Sequence, residues 1–137
     1  MACAESNRID SPEDVQRIIN YVTEHVFDPD AIDISRFHIR RRHSDEEASK
    51  SARFVMEYNI HNEDVRNAMA DLTLAEYSTT SVKLGCYDAY VFGIHMPGII
   101  DENPEIYLKF QVGSGIFIVT IHEADRPMTY PHRRGKQ

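Results

Sequence analysis

The sequence predicts an α+β domain in which N-terminal helices pack on one face of a small antiparallel sheet. Three observations carry this. Helical periodicity is confined to the first half, β-branched and aromatic residues take over after Leu74, and the later extended runs are joined by short turn-like connections. At 137 residues, of which 42% are hydrophobic, the chain is long enough for one core and short for two. Residues 1–125 are expected to form the single domain. Residues 126–137, with Arg126, Pro127, Pro131, Arg133, Arg134 and Lys136, read as a flexible basic tail.

Ser11-Pro12-Glu13-Asp14 is a helix start, with Ser11 as N-cap, proline at the first helical position and acids in the first turn. Val15, Ile18, Ile19, Val22 and Val26 then recur on one face until Asp28-Pro29. From Asp28 to His43 the pattern breaks, as in an extended connection or an edge strand, and His38 and His43 lack partners at metal-ligand spacing. Ser44-Asp45-Glu46-Glu47 is a capping box that opens a helix through Ala48, Ala52, Val55 and Met56. Asn62-Glu63-Asp64-Val65 starts another, apolar at Val65, Ala68, Met69 and Leu72. Residues 77–83 and 86–94 are candidate strands around Leu84-Gly85, and Cys86 is expected to be a buried structural thiol.

Glu105 to Glu123 forms two alternating segments joined at Gly113-Ser114-Gly115, which is the pattern of a β-hairpin. A two-residue loop sets Phe110 against Phe117, Leu108 against Val119 and Ile106 against Ile121, leaving one side wholly apolar. A four-residue loop keeps the parity and sets Tyr107 opposite His122. A three-residue loop would oppose the apolar side of one strand to the mixed side of the other and is disfavoured. Glu105, Tyr107, Lys109, Thr120 and His122 then share the face away from the core, within cross-strand reach.

The net charge of −7 weighs against a simple nucleic-acid binder, although Arg36, Arg40, Arg41 and Arg42 form a basic island. Cys3 and Cys86 make no C-x-x-C pair, no apolar run reaches the ~20 residues of a membrane span, and the first residues lack a signal-peptide pattern. A cytoplasmic protein with no membrane contact is expected. Phosphate-loop, dinucleotide, nucleophile-elbow and zincin motifs are all absent.

What the hairpin brings together is a cofactor-free, metal-free constellation. Cleavage of RNA through its own 2′-hydroxyl needs a base, an acid and a cation beside the phosphorane. An imidazole, with its reference pKa of about 6.5, serves as acid or base near neutrality. His122 supplies that group, Lys109 a positive charge, and Tyr107 a proton or a stacking surface.

From about Ala52 to Asp125 the chain resembles the MqsR family of bacterial toxins, within the wider RelE/ParE-like group. The resemblance rests on Leu72-Thr73-Leu74-Ala75-Glu76-Tyr77-Ser78, Cys86-Tyr87-Asp88-Ala89-Tyr90, Tyr107-Leu108-Lys109 and Thr120-Ile121-His122-Glu123, in the family's order and spacing. It implies a RelE/ParE-like fold and a type II toxin, a metal-independent endoribonuclease that cuts mRNA and is held off by a cognate antitoxin protein. It also implies catalytic roles for Tyr107 and for His122 in place of the family's last-strand lysine, beside the Lys109 charge that the hairpin face already offers. The family's RNA-binding lysine and glutamine fall on Ser78 and near Asp88, leaving Lys83 and Arg53 as candidates for the missing charge. Two alternatives stay open. One is a non-catalytic protein-binding module on the same scaffold, using the sheet face or the Arg40-Arg41-Arg42 island. The other is a gyrase-directed toxin.

Overall fold

The computed structural model describes residues 5–38 and 46–133, the side chains of 46–48 excepted. The Arg40-Arg41-Arg42 island, His43, the Ser44 capping box, Cys3, Arg134 and Lys136 lie outside the described residues. The first helix, α1 (Pro12–His25), begins as expected, the Ser11 side chain accepting from the Asp14 amide at 3.2 Å. Helices α2 (Glu46–Glu57) and α3 (Asn62–Ala70) follow, with Asp64 reaching back to accept from the His61 amide at 2.9 Å.

Five antiparallel strands form one sheet in the order β1 (Glu5–Arg8), β2 (Tyr77–Lys83), β3 (Ala89–Ile94), β4 (Ile106–Val112) and β5 (Ile116–Glu123). Three helices against an antiparallel sheet is the α+β class that the sequence predicts. Val15, Ile19 and Val22 of α1, Phe54 and Val55 of α2, and Val65 and Met69 of α3 share a core with Phe92, Leu108, Phe110 and Ile121 of the sheet. Ile32, Ile34 and Phe37, read as a loose connection, are fully buried in that core through a 3₁₀ turn at Ser35–His38. Their backbone is tied down where the Ile34 amide donates to Asn62 Oδ1 at 2.8 Å.

Strand β1 has no counterpart in the sequence reading, because its four residues are polar and exposed and show no alternation. It is specified by its partner, pairing Glu5 with Lys83 through to Arg8 with Thr80. Cys86 also departs from expectation. It lies exposed in the turn between β2 and β3, where its amide donates to the Lys83 carbonyl at 3.0 Å and Gly85 takes φ +81°. β2 ends at Lys83 as expected, and the turn through Gly85 delays the start of β3 to Ala89 rather than 86.

The β4–β5 hairpin combines two registers. Val112 pairs with Ile116, so the loop has the three residues that parity disfavours, and Phe110 pairs with Ile118. A bulge then leaves Val119 unpaired, and beyond it Lys109 meets Thr120, Leu108 meets Ile121 and Tyr107 meets His122. Ile116 and Ile118 therefore turn towards the helices, while Phe117, expected in the core, is 50% exposed. Arg36 holds the bulge, donating to the carbonyls of Ile118 and Val119 at 2.5 and 2.9 Å and lying 4.5 Å over the Phe117 ring.

Helix α2 closes the outer edge of β5. The Ile121 amide donates to Ser51 Oγ at 2.9 Å, and that hydroxyl exchanges a hydrogen bond with Thr120 Oγ1 at 2.5 Å, all of it buried. Ser51→Ala strands a buried amide and a buried hydroxyl, so urea unfolding should show a loss of roughly 1–3 kcal/mol. An unchanged midpoint would mean that α2 does not hold this edge.

Candidate functional site

On the sheet face away from the helices, the bulge brings Tyr107 and His122 side by side. Their rings stack with centroids 5.1 Å apart and planes 8° from parallel. His122 is buried, and its Nδ1 lies 2.8 Å from the Glu123 carbonyl. A carbonyl oxygen can only accept, so Nδ1 carries the proton of that bond. In the neutral ring this leaves Nε2 as the basic nitrogen.

Two hollows meet at His122. The first, of about 360 Å³, also includes Ser78, Val91 and Tyr107 from the sheet and Arg126 and Met128 from the segment after β5. The second, of about 240 Å³, includes Arg53, Tyr58 and Glu123. Lys50 borders both, and its ammonium pairs with Asp125 at 2.5 Å, which holds that carboxyl below its ordinary value. Tyr58 donates to Glu123 at 3.1 Å, and this hydrogen bond raises its phenol.

The wall of the larger hollow is the segment read from sequence as a flexible tail. Residues 126–133 instead lie across one end of the sheet. Glu105 accepts from the Met128 amide at 3.2 Å and from the Tyr130 hydroxyl at 2.6 Å. Tyr130 fits over Gly93, where even a Cβ would meet its hydroxyl, and its phenol is pushed well above the usual range, first by burial and then by Glu105. His132 stacks on Tyr77 at 5.5 Å, and its Nε2 lies 2.6 Å from the Asp10 carbonyl.

The seven residues singled out by sequence divide accordingly. Tyr107, His122 and Ser78 line one hollow, and Arg53 lines its neighbour. Lys109 shares the face, but its ammonium is buried 3.2 Å from Glu5. Lys83 stands at the far end of β2 opposite Glu5, and Asp88 is paired with Arg8 at 2.8 Å. Lys50 and Arg126 join Arg53 as cations lining the hollows at His122, and neither stands out in the sequence as a site residue. Lys50 could have been found, since it lies three residues before Arg53 on the helix that covers β5. Nothing local marks Arg126.

Among the described residues, no three His, Cys, Asp or Glu side chains cluster as a metal site requires, and no helix is long and apolar enough to cross a membrane. The chain finds no match among protein families, curated proteins or solved structures.

The Glu5 carboxyl is held below its model-compound value of 4.5, first by the Ser81 hydroxyl and then, against the opposing effect of burial, by Lys109. A depressed carboxyl contributes stability above its unfolded value and loses it as pH falls through its lower folded value. Stability should therefore decline below about pH 4.5, and Glu5→Gln should flatten that part of a pH series of thermal melts. Equal slopes would remove the Glu5–Lys109 pair from the acid response.

Proposed function

We propose that the protein is a toxin-like, metal-independent endoribonuclease that cleaves mRNA in the cytoplasm, as the resemblance to the MqsR toxins implies. The observation that carries this is the stacked Tyr107–His122 pair, set in an open hollow with a basic ring nitrogen and with Lys50 and Arg126 at its border. His122 Nε2 takes the proton of a ribose 2′-hydroxyl. The 2′-oxygen attacks the adjacent phosphorus, the P–O5′ bond breaks, and the departing oxygen is protonated to leave a 2′,3′-cyclic phosphate and a 5′-hydroxyl. Tyr107 fixes the imidazole by stacking and offers its hydroxyl as a proton donor. The phosphorane charge falls to the cations that line the hollows at His122, namely Arg126, Arg53 and the Asp125-paired Lys50, rather than to Lys109 or Lys83, which line neither hollow. On the same resemblance, a cognate antitoxin protein holds the activity off by covering this sheet face.

One observation favours a binding module without catalysis, the second reading. Lys109, matched to a family residue, is ion-paired with Glu5 at 3.2 Å. Long RNA incubated with the purified protein in EDTA separates the two. The nuclease yields fragments ending in cyclic phosphate, whereas RNA left intact at high protein concentration favours the binder.

His122→Asn should reduce cleavage at least ~100-fold, the usual scale for removing a general base. Tyr107→Phe, which keeps the stack, should cost less. A cleavage rate untouched by His122→Asn would overturn the assignment.

A further inference from the structure

The larger hollow has a composition that phosphate binding and proton transfer alone do not explain. Its walls include Val91, Tyr107, Pro127 and Met128, which are apolar or aromatic, although it opens on the polar face of the sheet. Ser78 and Thr129 bring hydroxyls to it from opposite sides, one from β2 and one from the crossing segment. Ser78 is 7% exposed, so its hydroxyl lies at the floor of the hollow rather than on open surface. Arg126 and the Lys50–Asp125 ion pair stand at the border, beside His122.

We infer that this hollow binds one nucleobase of single-stranded RNA, adjacent to the phosphate at His122. The inference rests on the ribonuclease reading and adds the subsite that reads sequence. A base has flat faces for apolar and aromatic walls and an edge carrying both donors and acceptors, which hydroxyls match because they do both. A volume of about 360 Å³ suits one small ligand. A duplex keeps its bases stacked and paired, so the ligand is an unpaired base turned out of a single strand. Ala124 to Thr129 form one wall, held in place where Glu105 accepts from the Met128 amide and from the Tyr130 hydroxyl over Gly93.

The test uses the full chain and the four nucleoside 5′-monophosphates, with ribose 5-phosphate as control, followed by amide NMR. Saturable shifts at Ser78, Val91, Met128 and Thr129 are expected, stronger for one base than for the others and absent with the control. Ser78→Ala and Thr129→Val, each melting like the wild type, should weaken that binding about tenfold, the loss of a typical hydrogen bond. Shifts reproduced by ribose 5-phosphate would reduce the site to a phosphate cradle and overturn the inference, as would the absence of shifts. RNA cleavage in EDTA is scored separately. Base binding without cleavage keeps the subsite and removes the nuclease, and cleavage without base binding does the reverse.

Discussion

One unpaired residue, Val119, sets what the two halves of β5 can do. A strand has a strict two-residue period, so a single insertion exchanges its faces. Before Val119 the strand turns Ile116 and Ile118 to the core, and after it the strand turns Ile121 inwards and His122 outwards. Without the bulge, a three-residue loop would carry the imidazole to the helix side and leave Tyr107 facing an isoleucine. The bulge is fixed by groups distant in sequence, the Arg36 guanidinium on its carbonyls and the Ser51 hydroxyl on the Ile121 amide and the Thr120 hydroxyl.

The electrostatics of the exposed face follow from the same arrangement. Strand β4 offers two functional side chains on this face, and they have separate fates. Tyr107 meets His122, whereas Lys109 reaches over the sheet to the Glu5 carboxylate, which also accepts from Ser81. The buried ammonium thus fastens β1 to the sheet instead of serving the hollow. Cations for the hollow come from outside the sheet, from α2 and from the segment after β5. An acidic chain can in this way keep positive charge at one place on its surface.

Much of the fold was legible in local sequence. Ser11-Pro12 at the start of α1, the helical stripes of α1 to α3 and the alternation in β4 each satisfy a short-range rule, and the structure follows them. What was not legible depended on distant partners. Strand β1 has no apolar pattern and exists because β2 offers a ladder. Cys86 sits among apolar neighbours but is turned outwards by Gly85. For the site, the alternation placed Tyr107 and His122 on one face, but the structure reaches their pairing by a three-residue loop and a bulge that the local pattern did not show, since Arg36 and Ser51 hold it from afar. The contributions of Lys50 and Arg126 were not legible, since they require knowing that α2 covers one edge and that residues 126–133 cross one end. Proline and arginine in that last stretch suggested loose chain, yet Tyr130 needs only a glycine beneath it and a carboxylate beside it to be seated.

The crossing segment also fixes when the hollow can exist. Residues 126–133 follow every strand of the sheet in sequence, and His132 must find Asp10, 122 positions earlier in the chain. The hollow therefore closes only when both ends of the described chain are in place, and the entropy of closing so long a loop must be repaid by the contacts of Tyr130 and His132. Loss of those two anchors would open the wall that carries Arg126 and Met128 while leaving the strand pairing of Tyr107 with His122 intact.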